Sequence, residues 1–284
     1  MQALKKIFFV SCLMIYALTQ TVSAQEKSAN PNKYTAHNKG KMYVFWGGNR
    51  ENYSKSDIHF KGDNYNFTLH DVTARDKPKG WQIDYVNPAR MTIPQTNLRI
   101  GYFINDHYNI SIGIDHMKYV MNQDQVVNIS GNINDGTAFD GNYNNEPITL
   151  TDDFLTFEHT DGLNYINTEF SRVDDISKLF KIRNTDKFQV NITEGLGAGL
   201  LYPKTNTKLL EKERYDEFHA AGYGVSAKMG LNLTFFKHFF IQAELKGGYI
   251  DMNDIRTTKS TADKASQHFY FLQRIIAFGG IFKV

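Results

Sequence analysis

Between Ala220 and Phe235 apolar and polar positions alternate without a break. Ala221, Tyr223, Val225, Ala227, Met229, Leu231, Leu233 and Phe235 share one parity. Ala220, Gly222, Gly224, Ser226, Lys228, Gly230, Asn232 and Thr234 share the other. Period two marks a strand with two different faces. A soluble sandwich would bury such an apolar face in strands of about five or six residues. A strand running from 220 to 235, apolar on one face and small or polar on the other, instead predicts a membrane barrel with lipid outside and a polar lumen inside.

The same alternation recurs along the chain. Leu98, Ile100, Tyr102 and Ile104 oppose Arg99, Gly101 and Phe103, and Ile110, Ile112 and Ile114 oppose Ser111, Gly113 and Asp115. Phe188, Val190 and Ile192 oppose Gln189, Asn191 and Thr193, while Ile241, Ala243 and Leu245 oppose Gln242, Glu244 and Lys246. The connections alternate in length. Asn105-Asp106-His107 and Lys237-His238 are short, whereas 51–95, 122–160, 203–217 and 252–266 are long and polar. Short periplasmic turns and long outer loops are the habit of bacterial barrels. Eight strands follow, at 41–49, 96–104, 108–121, 161–172, 187–201, 218–235, 238–250 and 267–284, with both barrel termini periplasmic. The pieces SDIHF and YNFTLHDV within 51–95 read as an outer hairpin; if they crossed the membrane, the count would be ten.

The segment FFKHFF brackets one short turn with Phe235, Phe236, Phe239 and Phe240, and Tyr102, Phe103 and Tyr108 flank the other. These seven are expected to form an aromatic girdle at the periplasmic interface. A soluble hairpin with an aromatic core is the competing reading. The chain closes on AFGGIFKV, with Phe282 and Val284 on one parity. This ending resembles the terminal strand by which outer-membrane barrels address the barrel-assembly machinery, although that family usually ends in Phe or Trp. Across 41–284 the chain resembles small bacterial outer-membrane β-barrel proteins of the eight-stranded, OmpA-like type. The resemblance implies an all-β fold, a closed antiparallel transmembrane barrel surrounded by outer-membrane lipids. It brings no specific functional motif.

Composition narrows the picture. A mean hydropathy of −0.45 excludes a bundle of membrane helices, each needing about 20 apolar residues. The one long apolar run lies at residues 1–24, where Lys5 and Lys6 precede an apolar core and Val22-Ser23-Ala24. That layout predicts a secretory signal peptide cut before Gln25, followed by a periplasmic linker over 25–40. Its removal takes away the only cysteine, Cys12, together with Lys5 and Lys6, leaving 30 basic against 30 acidic side chains. No single-sign field remains to attract nucleic acid, and no disulfide scaffold is possible.

Candidate chemistry lies on the inward parity. Arg99, Asp115, Glu169, Lys228, Glu244 and Lys246 balance in charge and predict a salt-bridge network plugging the lumen, since charges out of water must be paired. The network reads either as a structural plug or as a gate or proton path. Glu194 and Arg274 fall on the lipid parity, where a charge is costly. A β-bulge beside each would turn it inward, and one between Phe271 and Ile276 is expected to bring Arg274 into the network. Of the histidines expected near outer strand ends (His116, His159, His219 and His268), His116 beside Asp115 is the weak candidate for a lipid-modifying hydrolase. A His-activated serine needs both groups within hydrogen-bond reach, and no serine lies near it on its strand. Gly195, Gly197 and Gly199 lack the helix a phosphate loop requires and suit a crowded inner wall. The loop GNINDGTAFDGNYNNE matches no EF-hand spacing. No cofactor and no metal are expected. The expected role is structural or surface-binding, toward an unknown extracellular ligand, through 51–95 and 122–160. A lipid A- or phospholipid-modifying enzyme and a narrow channel are the alternatives.

Overall fold

The structure, a computed structural model, describes residues 37–77 and 95–283. The signal peptide, most of the linker, residues 78–94 and Val284 lie outside the described residues. Eight antiparallel strands close a ring: β1 (Lys41–Tyr53), β5 (Thr96–Phe103), β6 (Tyr108–Met121), β9 (Leu155–Asp175), β10 (Phe188–Leu201), β13 (Gly222–Phe235), β14 (Phe239–Arg256) and β15 (Lys264–Lys283). Closure is made by β1 against β15, in unbroken register from Lys41↔Lys283 to Tyr53↔Phe271. The alternating positions become alternating faces. Ile110, Ile112 and Ile114 point outward and Ser111 and Gly113 inward, with Ile112 60% exposed. The ring holds eight strands and not ten, because SDIHF and YNFTLHDV stay outside it.

Two short turns close one end. Phe236 and Lys237 both take positive φ (52° and 65°), and His238 N–H donates to the Phe235 carbonyl at 3.1 Å. Two left-handed central residues give the twist that a tight hairpin needs, which is why no longer loop is required. In the other turn the Asn105 side-chain oxygen accepts the N–H groups of His107 (2.9 Å) and Tyr108 (2.7 Å), an Asx turn that replaces backbone bonds.

At the opposite end the described parts of the expected loops at 51–95, 122–160, 203–217 and 252–266 carry further strands. Ring strands β9, β14 and β15 overrun the barrel, and shorter strands attach to their extensions. The hairpin β2 (Ser56–Lys61) and β3 (Tyr65–Val72) pairs with the start of β15, Lys264↔Lys61 to Gln267↔Ile58. β7 (Val126–Ile133) and β8 (Gly141–Thr149) continue that sheet. On the other side β4 (Ala74–Arg75) pairs with the top of β6, while β11 (Lys204–Leu209) and β12 (Tyr215–Phe218) extend β9. The two flaps enclose an apolar core including Ile58, Phe60, Phe67, Leu69, Tyr119, Ile129, Leu155, Phe157 and Phe269. Phe60 meets Phe157 edge-on at 5.8 Å, and Tyr119 stacks on Phe269 at 5.1 Å. The barrel therefore carries a folded lobe.

The interior changes character along each long strand. In β15 the inward residues run Phe269, Phe271, Gln273, Ile275, Ala277. Apolar ones serve the lobe, and polar Gln273 begins the barrel. A small aromatic layer, Tyr43, Phe45, Phe103 and Phe240, floors the lumen at the short-turn end. The Tyr43 ring lies against Gly101 across the β1–β5 pair, where any Cβ would collide with it.

Candidate functional site

The mid-lumen holds six charges on five strands. Glu169 of β9 is the hub. Its carboxylate lies 2.9 Å from Arg99 Nη2, 2.6 Å from Lys228 Nζ and 2.7 Å from Lys246 Nζ. Lys246 also reaches Asp115 at 2.7 Å, and Lys228 reaches Glu244 at 3.2 Å. Arg99 stands 3.7 Å from Asp115. Neutral groups take up remaining valences: Arg99 donates to Ser111 (3.2 Å) and Asn167 (2.7 Å), and Asp115 accepts from Asn97 (2.6 Å) and Asn167 (3.0 Å). All six are buried, Arg99 and Lys246 to 1% exposure. Removing an ion from water costs several kcal/mol even after relaxation, so such a cluster persists only where opposite charges and hydrogen bonds offset that cost. Gly197 makes the room: a Cβ there would press on the Glu169 side chain and Ser226.

The other expected site residues divide. Arg274 is not in the network. Strand β15 carries no bulge between Phe271 and Ile276, and Arg274 faces outward with Nη2 donating to Asn52 at 2.9 Å. The apparent exchange of apolar parity in this strand is the lobe core giving way to the polar lumen, with no change in strand direction. Glu194 likewise stays outward beside Ile192 and Leu196, directly across from Arg172 on β9, and no bulge turns it. The one break in the β14–β15 ladder lies at Met252/Ile255, inside the lobe.

Five of the seven girdle residues lie on the outside. Tyr102, Phe236 and Phe239 are exposed, Tyr108 stacks on Phe170 at 5.4 Å, and Phe235 packs on Phe188 at 5.2 Å. Phe103 and Phe240 do not belong to it. Both turn inward, 4% exposed, into the floor of the lumen. Neighbours on a strand must face opposite ways, so the doublets 102–103 and 239–240 could each supply only one outward ring.

Among the described residues His116 bonds to no nucleophile. It is buried on the rim, with Nδ1 2.8 Å from the Asn164 side-chain oxygen. His159 sits wholly buried in the lobe between Tyr119 and Phe157, with Nδ1 3.0 Å from Thr205 Oγ1. Burial pushes its pKa down to about 3. His219 pairs with Asp254 at 2.9 Å, and His268 faces outward beside Tyr249. Among the described residues no group of His, Cys, Asp and Glu could hold a metal ion.

Sequence reasoning missed a second polar layer above the charges. Glu51 accepts from Gln273 (3.0 Å) and Gln95, and Gln95 also donates to Asp76. Asn49 donates to Asn97 at 2.7 Å. Its signal was present in the inward parity of β1, Asn49 and Glu51, but the expected strand ended at residue 49. Below the charges a cavity of about 40 Å³, room for roughly three waters at 10–15 Å³ each, opens to the short-turn end between the aromatic floor and Lys228.

No family model matches the sequence, and no curated protein matches it. Among solved structures the chain is similar to outer membrane protein OprG of Pseudomonas aeruginosa, with 11% identity over 88% of this chain and 100% of that one and a TM-score of 0.38. It is also similar to the attachment invasion locus protein Ail of Yersinia pestis, with 12% identity over 86% and 99% of the two chains and a TM-score of 0.32. Neisserial surface protein A is similar at 10% identity over 85% and 99%, TM-score 0.33. Likeness of this degree assigns no activity. The barrel stands on its own closed ring of strand pairs.

Proposed function

We propose that the chain is a bacterial outer-membrane barrel whose lumen is shut and whose task is to hold a folded lobe at the cell surface, where the lobe binds an extracellular ligand. One observation carries the reading: six buried, mutually paired charges fill the barrel where a conducting path would run, while the mass beyond the barrel has an apolar core of its own. Outward Leu98, Ile100, Ile112, Val225, Leu231, Ile241 and Phe278 supply the band that lipid would cover. In this orientation the short turns and both barrel termini face the periplasm, and β15 is the strand offered to the assembly machinery. A channel is disfavoured by the network, and an enzyme by the lack of a nucleophile bonded to His116 among the described residues.

Two measurements test the proposal. Purified protein in planar bilayers gives no discrete conductance steps; steps that survive repurification overturn the shut lumen. An epitope inserted at the exposed Gly136 is labelled on intact cells, whereas one inserted at Lys237 is labelled only after lysis. The reverse pattern overturns the orientation.

A further inference from the structure

Two arginines stand side by side on the lipid-facing wall. Arg50 of β1 and Arg274 of β15 are direct cross-strand partners, both outward and exposed, at the edge of the apolar band nearest the lobe. Like charges directly opposite on a sheet destabilise it, with Cβ atoms only about 4.5–5.5 Å apart. Neither is neutralised within the described residues: Arg50 Nη1 donates to its neighbour's carbonyl, Asn49 O, at 2.7 Å, and Arg274 Nη2 to the neutral Asn52 side chain at 2.9 Å. Among the described residues each keeps donors on its guanidinium without a partner.

The wall beneath the pair is shaped. Along the same outward face the next cross-strand pair is Gly48↔Ile276, followed by Trp46↔Phe278. Among the described residues a Cβ on Gly48 would have only the Gln95 carbonyl within 4 Å, at 3.8 Å. Trp46 and Phe278 meet edge-on at 5.5 Å and form a ledge. An apolar notch thus runs from the ledge up to two cations.

We infer that this face is a binding site for a phosphorylated lipid of the lobe-side leaflet, its phosphate clamped between Arg50 and Arg274 and an acyl chain lying in the notch over Gly48. Guanidinium forks match phosphate oxygens bidentately, and the anion converts an unfavourable cation pair into a bridged one. The notch is what favours a lipid over free phosphate, since phosphate alone has no use for the apolar wall. The inference rests on the membrane reading above.

The test uses the whole mature protein in detergent micelles, with native mass spectrometry counting bound diphosphorylated lipid A, and with R50Q, R274Q and the double variant. Each single change weakens binding about tenfold, in keeping with roughly 1.4 kcal/mol for a charge-assisted bond. R50K/R274K, with charge but no fork, falls between. Gly48→Leu, which fills the notch and leaves both cations, also weakens lipid binding. Lipid affinity of R50Q/R274Q within twofold of the original chain overturns the site, as does inorganic phosphate binding as tightly as the lipid. Insertion into vesicles is scored separately by protease protection of the barrel. Failure there indicts the membrane reading, and normal insertion with unchanged lipid binding indicts the clamp.

Discussion

Glu169→Gln is the sharpest perturbation of the lumen, because it removes one charge and almost no volume. Glu169 takes three cations at 2.6–2.9 Å. After the change Lys246 keeps Asp115 at 2.7 Å and Lys228 keeps Glu244 at 3.2 Å. Arg99 is left with Asp115 only at 3.7 Å, plus neutral Ser111 and Asn167. The surplus positive charge therefore falls on a guanidinium 1% exposed. Breaking a buried pair by removing one partner costs about 3–5 kcal/mol. Arg99→Met alone has a cost of the same order, since it leaves the cluster one charge negative. Together the two changes leave two clean pairs, Lys246 with Asp115 and Lys228 with Glu244, and a neutral interior. The double variant is expected to lose at least about 1 kcal/mol less than the sum of the singles, within the usual coupling of contacting residues. Urea titration in micelles measures this, followed by intrinsic fluorescence and by the gel shift between folded and heated barrel. A single-variant loss below about 1 kcal/mol, or strict additivity of the two, would refute the reasoning that the cluster is held by charge balance.

Further outcomes follow from the lobe. Phe157→Ala removes a ring from the core that joins the flaps and should cost the lobe about 3–5 kcal/mol. Limited proteolysis then cuts within 122–160 while the gel shift of the barrel is unchanged; loss of both together would show that the lobe and barrel do not unfold separately. His159 is held neutral, with a pKa near 3 against 6.5. Because the folded value is depressed, the stability is present above pH 6.5 and is lost as pH falls from 6.5 toward 3. The slope is about 1.4 kcal/mol per pH unit. His159→Gln should flatten the acid dependence of lobe stability between pH 6.5 and 4.5 by that slope, and an unchanged slope would remove His159 from the account.

The ring was legible because alternation is a direct imprint of two media on the two faces of a strand. Ala220–Phe235 and Leu98–Ile104 needed nothing else, and the inward charges could be picked out by parity alone. What alternation does not carry is the identity of each medium. Phe269 and Phe271 looked like lipid-facing residues, and so invited a bulge ahead of Arg274, but they face a protein core inside the lobe. The same ambiguity hid the lobe itself, whose strands are short, polar on one side and separated by turns that read as loops. The aromatic doublets failed for a simpler reason: a girdle expected from composition ignored the pleat that sends Phe103 and Phe240 inward. Glu51 was missed because the first strand was expected to end at residue 49, and Gln273 because its parity was assigned to lipid ahead of the expected bulge.

The double duty of β15 bears on the order in which the molecule can be made. Its later half zips against β1 to shut the ring, and its first residues hold the β2–β3 hairpin, made some two hundred residues earlier. Contacts of such sequence separation form late, since the closure entropy of the intervening chain must be met first. The hairpin can pair with β7 earlier, but it has no ring strand to join until the last strand arrives. A chain stalled before β15 would therefore present neither a closed ring nor a finished lobe, and the complete lobe exists only once the ring has shut.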